Sequence, residues 1–555
     1  MADNNLELER QQLREAHERG TLATIATYTR LSGPGWLQGA ITLGGGSLAG
    51  SLYLGVIMGY DMMWLQPVAM VLGVVMLAAI SYVTLSTGER PFAAINDHIS
   101  PLLGWGWLVA TIMANIVWCL PQFALGTSAV QQNLIPASNT PAGKLVVAGS
   151  LLVIATIVVW SYNSGSRGIK IFEMILKAMV GIVVLSFFGV VIAMTAKGAL
   201  DWPRILRGLI PNVGQLFQPV ASIAPYIEAT GEHAAWWNSY IASTQKDKII
   251  TAFATAVGIN MTFLLPYSML KKGWGREHRG LAIFDLSIGL IVPYVLATGC
   301  VVLAAASQFH GNPDDVLAML ETGKGKEVSA YYSLVDKRLA VDSSVPVAEL
   351  TEEQLAAARA ALPEADRRLA AMLAERDNLA LAKTLAPLVG PRIAQTLFGV
   401  GVLGMALSTI IILMLINGFA VCEMVGAPAD SHVHRLGSLI PAVGVLGPFV
   451  WAKAAPALAT PTSVIGGAML PIAYFSFLLL MNSPGILGDN MPRGGKRIVW
   501  NVAMGIATTV SILGSLWGLY NKQLYGFPLG NVAAVALVAL LLLGLVSYLQ
   551  KNKIN

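Results

Sequence analysis

Charge is the scarcest property of this 555-residue chain: Asp, Glu, Lys and Arg make up 12% of it, apolar residues make up 55%, and the mean hydropathy is +0.63. A soluble globular chain carries roughly 25% charged residues. The deficit excludes an ordinary soluble enzyme, and with it a disordered chain or a nucleic-acid binder, both of which need charge. Cysteine is almost missing. Cys119, Cys300 and Cys422 lie in apolar runs with no CxxC or Cys/His spacing, which excludes a disulfide frame or a thiolate metal site. No P-loop is present, so a nucleotide-driven machine is excluded and no nucleotide partner or cofactor is expected. No Ser/His/Asp or His-rich arrangement lies inside the apolar runs, which leaves an enzyme without a clustered nucleophile and base. The balance of 36 Lys+Arg against 31 Asp+Glu, net +5, is too mild to imply an anionic partner. It fits basic loops on one face of a membrane.

Long apolar runs are what the chain has instead. A bilayer core takes about 20 apolar residues of helix. By that rule twelve spans are expected, near 33–58, 62–87, 104–133, 143–163, 170–196, 249–270, 280–307, 393–424, 437–457, 461–482, 497–519 and 528–549. The segment Met1 to Arg30 is polar and of mixed charge, without the basic region, apolar core and cleavage site of a signal peptide. With that segment inside, Arg10, Arg14, Arg19, Arg30, Arg90, Arg167, Lys170, the Lys271–Arg279 group, Arg435, Arg493, Lys496, Arg497, Lys551 and Lys553 all fall on one face. The short loops of the other face hold little more than Lys144, Lys453 and Lys522. The positive-inside rule then places both termini in the cytoplasm of an integral protein of the plasma (inner) membrane.

Two stretches do not fit a span and fall on the outer face. Residues near 198–246 carry Trp202, Pro203, Glu228, Glu232, His233, Trp236 and Trp237. Residues near 308–392 hold much of the chain's charge; Thr351-Glu352-Glu353-Gln354 is a capping-box pattern that opens a helix, Pro363 interrupts it, and a second helical run follows. The two stretches form either one helical cap or two separate surface excursions.

A span that binds a solute usually breaks its helix, because freed backbone groups then line a cavity. The first span contains Thr42-Leu43-Gly44-Gly45-Gly46-Ser47, and the sixth contains Val257-Gly258-Ile259-Asn260-Met261-Thr262 before Pro266. Unwinding and close packing through small residues both use such glycines; each glycine costs a helix about 1 kcal/mol relative to Ala.

The order of the motifs resembles the Nramp family of divalent-metal transporters. Gly33-Pro34-Gly35 is followed after eight residues by Gly44-Gly45-Gly46-Ser47, then by Gly59-Tyr60 and Met63-Trp64. The family has Gly-Pro-Gly, then Asp-Pro-Gly-Asn, Gly-Tyr and Leu-Trp at the same distances. Thr87-Gly88-Glu89-Arg90, Asp201-Trp202 with Gly208-Leu209-Ile210-Pro211, Arg279 to His310 with Asp285 and Ser287, Gly418 to Glu423, and Leu470-Pro471 continue the likeness. It covers most of the membrane part and neither outer stretch.

The resemblance implies an all-α integral membrane protein of about twelve transmembrane helices. The first ten form a LeuT-type inverted five-plus-five repeat, with the first and sixth helices broken. The chain then divides into a cytoplasmic segment (1–31), helices 1–5 of the first repeat (32–196), an outer excursion (197–248), helices 6 and 7 (249–307), a charged outer helical excursion (308–392), helices 8–10 (393–482), and helices 11 and 12 with the C-terminus (483–555).

The sequence departs from the family where metal would bind. Gly44 and Ser47 stand in place of its Asp and Asn, and Ile259-Asn260-Met261 in place of Met-Pro-His. A rival placement of the latter motif is Gly231-Glu232-His233, which leaves 249–270 as an extra span. Leu120 and Phe123 stand where the third span has acidic residues, and Ser463 where the tenth has Gln. The expected substrate site is therefore Gly44, Ser47, Gly258, Asn260 and Met261, with no carboxylate. Such a set suits a hard, partly hydrated cation such as Mg²⁺ or Mn²⁺ better than a dehydrated soft metal. A small organic solute, amino acid-like or neutral, fits the same neutral cavity, and a non-transporting sensor on the same scaffold is a third reading. The expected partners are the transported solute or metal ion and the lipid bilayer.

Other ionisable residues divide. Asp285, inside the seventh span, is a candidate proton or ion site. Glu173 and Lys177, at i and i+4 in the fifth span, read as an internal neutralising pair, and Glu423 as a helix-end carboxylate reaching water. Glu228, Glu232 and His233 read as a solvated face, and Trp236-Trp237 as an interfacial anchor.

Overall fold

The computed structural model describes residues 2–162, 165–322, 326–342, 346–376, 390–450, 466–520, 522–523 and 527–554. The described chain is helical. Among the described residues nine helices are long and apolar enough to cross a bilayer, and eleven spans result when each of two bent helix pairs counts as one. The first pair is α3 (Pro34–Thr42) and α4 (Gly45–Met58), bent by 54°. Two helices precede it, α1 (Ala2–Arg19) and α2 (Thr21–Leu31). Then follow α5 (Leu65–Thr87), α6 (Pro101–Leu134), α7 (Pro141–Ser161) and α8 (Arg167–Ala196).

The sixth expected span differs from the run 249–270. Its helix α9 (Ala234–Ala256) starts earlier, inside the stretch expected to lie wholly outside the membrane, and carries Lys246, Asp247 and Lys248 in its middle. It stops at Val257–Gly258, and α10 (Ile259–Lys271) continues. Split in this way, neither half alone meets the length and apolarity of a span. The break falls beside Ile259-Asn260-Met261 and not at Gly231–His233. Beyond it lie α11 (Arg276–Phe309), the helices α12 (Lys326–Asp342) and α13 (Glu364–Leu373) of the second stretch that fits no span, and α14 (Pro391–Val425). The chain continues through α15 (His432–Val450), α16 (Leu470–Met481), α17 (Gly495–Leu519) and α18 (Leu529–Ile554). The bent pair of α16 and Pro484–Asn490 turns by 65°. Parts of the ninth and tenth expected spans, with Ser463, lie outside the described residues.

Burial separates core from periphery. The most apolar stretch of α14 is 78% buried and that of α18 only 22%, so α14 is an axis and α18 an edge of the bundle. Helix α3 packs on α11 through glycine. A Cβ on Gly35 would lie 2.2 Å from the Asp285 carbonyl oxygen, and one on Gly39 2.2 Å from that of Gly289. Only residues without a side chain allow this approach.

The two stretches expected on the outer face are joined to each other, which favours a single helical cap over two separate excursions. Asp366 is buried and accepts hydrogen bonds from Trp237 Nε1 at 2.8 Å and Arg338 Nε at 3.2 Å, with His233 Nδ1 at 3.3 Å. Trp237 is therefore a fully buried strut and not an interfacial anchor, because its indole N–H serves a buried carboxylate. The capping box forms as read: Thr351 N donates to Gln354 Oε1 at 3.0 Å, and Gln354 N to Thr351 Oγ1 at 3.3 Å. Tyr53 on α4 donates to the Leu373 carbonyl at 3.1 Å, which seats the cap on the broken first span.

Candidate substrate site at the two helix breaks

At the first break, Leu43 N still donates to Gly39 at 3.0 Å, but Gly44 is extended (φ −110°, ψ −178°). At the second break Val257 (φ −137°, ψ 109°) and Gly258 (φ −83°, ψ 163°) are extended as well. None of these angles requires glycine. Room does: a Cβ on Gly44 would lie 2.7 Å from Thr409 Oγ1, and one on Gly258 2.8 Å from the Trp118 ring.

The breaks meet through Thr42. Its hydroxyl lies 3.2 Å from the Ala256 carbonyl oxygen and 3.0 Å from Met261 sulfur, and that sulfur also receives Gly258 N at 3.4 Å. Ser47 Oγ donates to the Thr42 carbonyl at 2.6 Å. Asn260 is fully buried; its Oδ1 accepts Met261 N at 2.9 Å, while its Nδ2 has no partner. Gly44, Ser47, Gly258, Asn260 and Met261 thus surround one junction, with Thr42 at its centre. No group of three or more His, Cys, Asp or Glu suited to a metal occurs among the described residues. The donors at the junction are hydroxyls, amides, carbonyls and one thioether.

Three polar residues here were not expected. Gln122, beside Pro121 in α6, accepts the Gly45 amide at 2.9 Å and so caps the start of α4. Ser408 and Thr409 of α14 reach the carbonyls at the end of α3. Their signal in the sequence is polarity alone, an amide and two hydroxyls within apolar runs.

Asp285 is not at the junction. It lies at the opposite end of α3, where Gly33 N donates to one carboxylate oxygen at 3.0 Å and Gly35 N to the other at 2.7 Å. Both oxygens satisfy orphan amides of the helix start and face its positive dipole end. Nearby, Glu173 pairs with Lys272 at 3.1 Å, while Lys177 donates to the Ser32 carbonyl at 2.5 Å. The Glu173–Lys177 pairing is therefore corrected: helix packing offers each a partner from another segment. Glu423 pairs with Arg90 at 2.9 Å, joining the end of α14 to the turn after α5. These ties lie on the face that carries α1 and α2. An aromatic row closes the same side, with Trp107 and Phe263 at 4.7 Å, Phe263 stacked on Tyr267 at 4.5 Å, and Tyr267 on Phe419 at 6.0 Å. On α4, by contrast, Gly46 and Ala49 just past the break are exposed, and the helix is buried from Ser51 onward.

The fold is shared with solved transporters. A manganese transporter of Eremococcus coleocola in complex with an aromatic bis-isothiourea substituted compound is 14% identical, with a TM-score of 0.62 over 95% of this chain and 96% of that one. A point mutant of the same transporter gives 0.63 at the same identity and coverage. No curated protein matches the sequence. The family model described as natural resistance-associated macrophage protein-like matches residues 35–330 and 369–520. With most of its length so matched, and with the LeuT-type fold around its two broken helices, this chain belongs to the Nramp family.

Proposed function

We propose that the chain is a secondary-active transporter that moves a divalent cation retaining part of its water, such as Mg²⁺ or Mn²⁺, by alternating access. The observation that carries this reading is the chemistry of the junction, where two helix breaks meet and only neutral donors surround them. Carboxylates give a site its affinity for bare divalent ions. Dipoles alone suit an ion that keeps waters and so pays a smaller dehydration cost, as Mg²⁺ does. Ser47 and the carbonyls around Gly44 and Gly258 would supply oxygens, and Asn260 Oδ1 another once Met261 N shifts. Family membership supports a metal substrate, as does the manganese transport named for the solved structures of like fold.

Alternating access is supported by the asymmetry of the two faces. The side of α1 and α2, read as cytoplasmic, is held by Arg90–Glu423, Glu173–Lys272 and the aromatic row. On the other side of the break, Gly46 and Ala49 at the start of α4 are exposed. Asp285 would become available to a proton or ion only when α3 leaves it, so we assign it the role of holding α3 in this conformation.

The orphan Nδ2 of Asn260 favours a second reading, an organic solute that brings an acceptor. One substitution separates the two. Ser47→Asp adds a carboxylate at the break, and tighter divalent-ion binding and retained ion flux in proteoliposomes are expected. If wild-type protein shows no divalent-ion binding or flux at high concentration but carries an anionic or zwitterionic solute that Ser47→Asp abolishes, the metal reading is dead.

A further inference from the structure

The two half-helices that leave the junction on the side away from α1 and α2 meet again at one height. Tyr53 stands eight residues beyond Gly45, the first residue of α4, and Lys248 eight residues before Ala256, the last of α9. At a rise of about 1.5 Å per residue, each is about 12 Å from its break. There the Lys248 ammonium lies over the Tyr53 ring, 4.3 Å from its centre, inside the cation–π range of about 6 Å. The same tyrosine donates its hydroxyl to the Leu373 carbonyl at 3.1 Å, and Lys248 also faces Glu375 Oε1 at 3.5 Å. The turn that carries Leu373 and Glu375 is fixed from within. Arg376, its side chain fully enclosed, donates to the carbonyls of Ala371, Met372 and Ala374 and pairs with Asp315 at 2.7 Å. Two helix halves and the cap therefore converge on one aromatic ring.

We propose that Tyr53 is the latch of the entrance to the junction on this side, clamped by Lys248, and that the cap and α9 swing away from α4 as one body when it opens. The proposal rests on the transporter reading and adds the residues that control entry. The cap is tied unequally to its two neighbours. Its bond to α9 is buried: the Asp366 carboxylate, which also holds Arg338, accepts the Trp237 indole N–H at 2.8 Å. Breaking that bond would leave a buried carboxylate short of a donor, so the cap stays with α9. Its tie to α4 is a neutral hydroxyl bond and an ammonium laid on a ring. The Lys248 side chain is 25% exposed and that of Glu375 63%, so water replaces their contacts at little cost. Contacts of this strength suit an element that opens in every cycle. Residues 331–368, the middle of the cap, fall outside the family match, so this lid is built on a segment separate from the matched transporter core. The seat under Lys248 is an aromatic face beside a carboxylate, and a free alkylammonium fits it as the tethered one does.

The test uses full-length protein in detergent with no solute or divalent ion added, so it does not depend on what is carried. Ser47→Cys puts a thiol at the junction, and its rate of alkylation by a small maleimide reads the entrance. Ser47 is 3% exposed, so the parent rate is slow. Lys248→Ala and Tyr53→Phe should each raise that rate at least fivefold, while Lys248→Arg, which keeps the cation, should not. Propylammonium should bring Lys248→Ala back toward the parent rate, and choline at the same ionic strength should not. Cys119, Cys300 and Cys422 are buried and should stay unreactive in every variant, which separates an opened entrance from a loosened fold. Unchanged alkylation in the Lys248→Ala/Tyr53→Phe double variant, no effect of propylammonium, or an equal gain at the native cysteines would overturn the latch. A chain that passes these measurements and carries no ion keeps the latch and loses the function proposed above.

Discussion

Replacing Asp285 by Asn tests how the first broken span is held. The carboxylate is buried to within 1% of full enclosure, and each oxygen accepts one backbone N–H, from Gly33 at 3.0 Å and from Gly35 at 2.7 Å. Hydrogen bonds to a charged group contribute about 1.5–3 kcal/mol each. Asn keeps one acceptor and turns an NH₂ group toward the other amide, so one bond is lost, a donor faces a donor, and the remaining bond loses its charge. The expected cost is about 3 kcal/mol, which changes a two-state population by more than a hundredfold at about 1.4 kcal/mol per factor of ten. The cost falls on the start of α3 and not on the protein at large, since the nearby Glu173–Lys272 pair is untouched. Hydrogen exchange is the assay: amides of residues 33–42 should exchange at least tenfold faster in Asp285→Asn, while those of α5 and α14 stay slow. Unchanged exchange at 33–42 would refute the account of Asp285 as the cap of α3. A variant that keeps its exchange but loses a pH-dependent step of transport would assign Asp285 to proton binding instead.

Two further outcomes follow from the opposite face. Asp366→Asn removes the buried partner of Arg338, which is 1% exposed, and leaves it the exposed Asp342 at 2.7 Å, at a cost of about 1.5–3 kcal/mol; limited proteolysis between residues 326 and 376 should accelerate, and a native digestion pattern would contradict the strut. His310 lies beyond the end of α11; its Nδ1 donates to the Val56 carbonyl at 3.0 Å, and its Nε2 lies 2.9 Å from Ser222 Oγ, whose one hydrogen serves either that nitrogen or Asp61 at 2.9 Å. Burial holds this imidazole below its usual range, so the folded state favours the neutral ring. Its contribution is complete above the unfolded value of about 6.5 and is lost as pH falls below it. The melting temperature should therefore drop between pH 7 and pH 5 in the wild type and drop less in His310→Gln.

The membrane class and most of the spans were legible in the sequence because bilayer thickness leaves a direct record in run length. The sixth span was legible only in part. Its outer half α9 carries Lys246, Asp247 and Lys248, so hydropathy started it too late; in the fold Lys246 lies 4.0 Å from the centre of the Trp517 ring, a contact between residues remote in sequence. The breaks were legible because glycine runs are costly inside helices. Their reason was not: Gly44 and Gly258 make room for Thr409 and Trp118, which come from other helices. Charge partners failed for the same cause. Spacing of i, i+4 proposed Lys177 for Glu173, whereas tertiary packing delivered Lys272. Gln122, Ser408 and Thr409 left no periodic or spacing signal, since a single polar residue in an apolar run reads alike whether it bonds its own helix or a neighbour's broken end.

The distribution of charge gives these pieces a common logic. Formal charges gather at the two faces, with Asp285, Glu173, Lys272, Arg90 and Glu423 on one and Asp61, Arg204, Asp366 and Arg338 on the other. The junction between them holds dipoles only. A carboxylate there would bind a divalent ion tightly but would also remain as a buried, uncompensated charge whenever the site is empty. A neutral junction avoids that penalty, so the empty carrier can change conformation, at the expense of affinity for the ion. On the proposed function, weak binding therefore follows from the same residues that make the return step easy. Ser47→Asp should show both sides at once, with tighter ion binding and slower turnover as the return of the empty carrier becomes limiting. Ion binding that tightens while turnover stays at the wild-type rate would sever the link between the neutral junction and the return step.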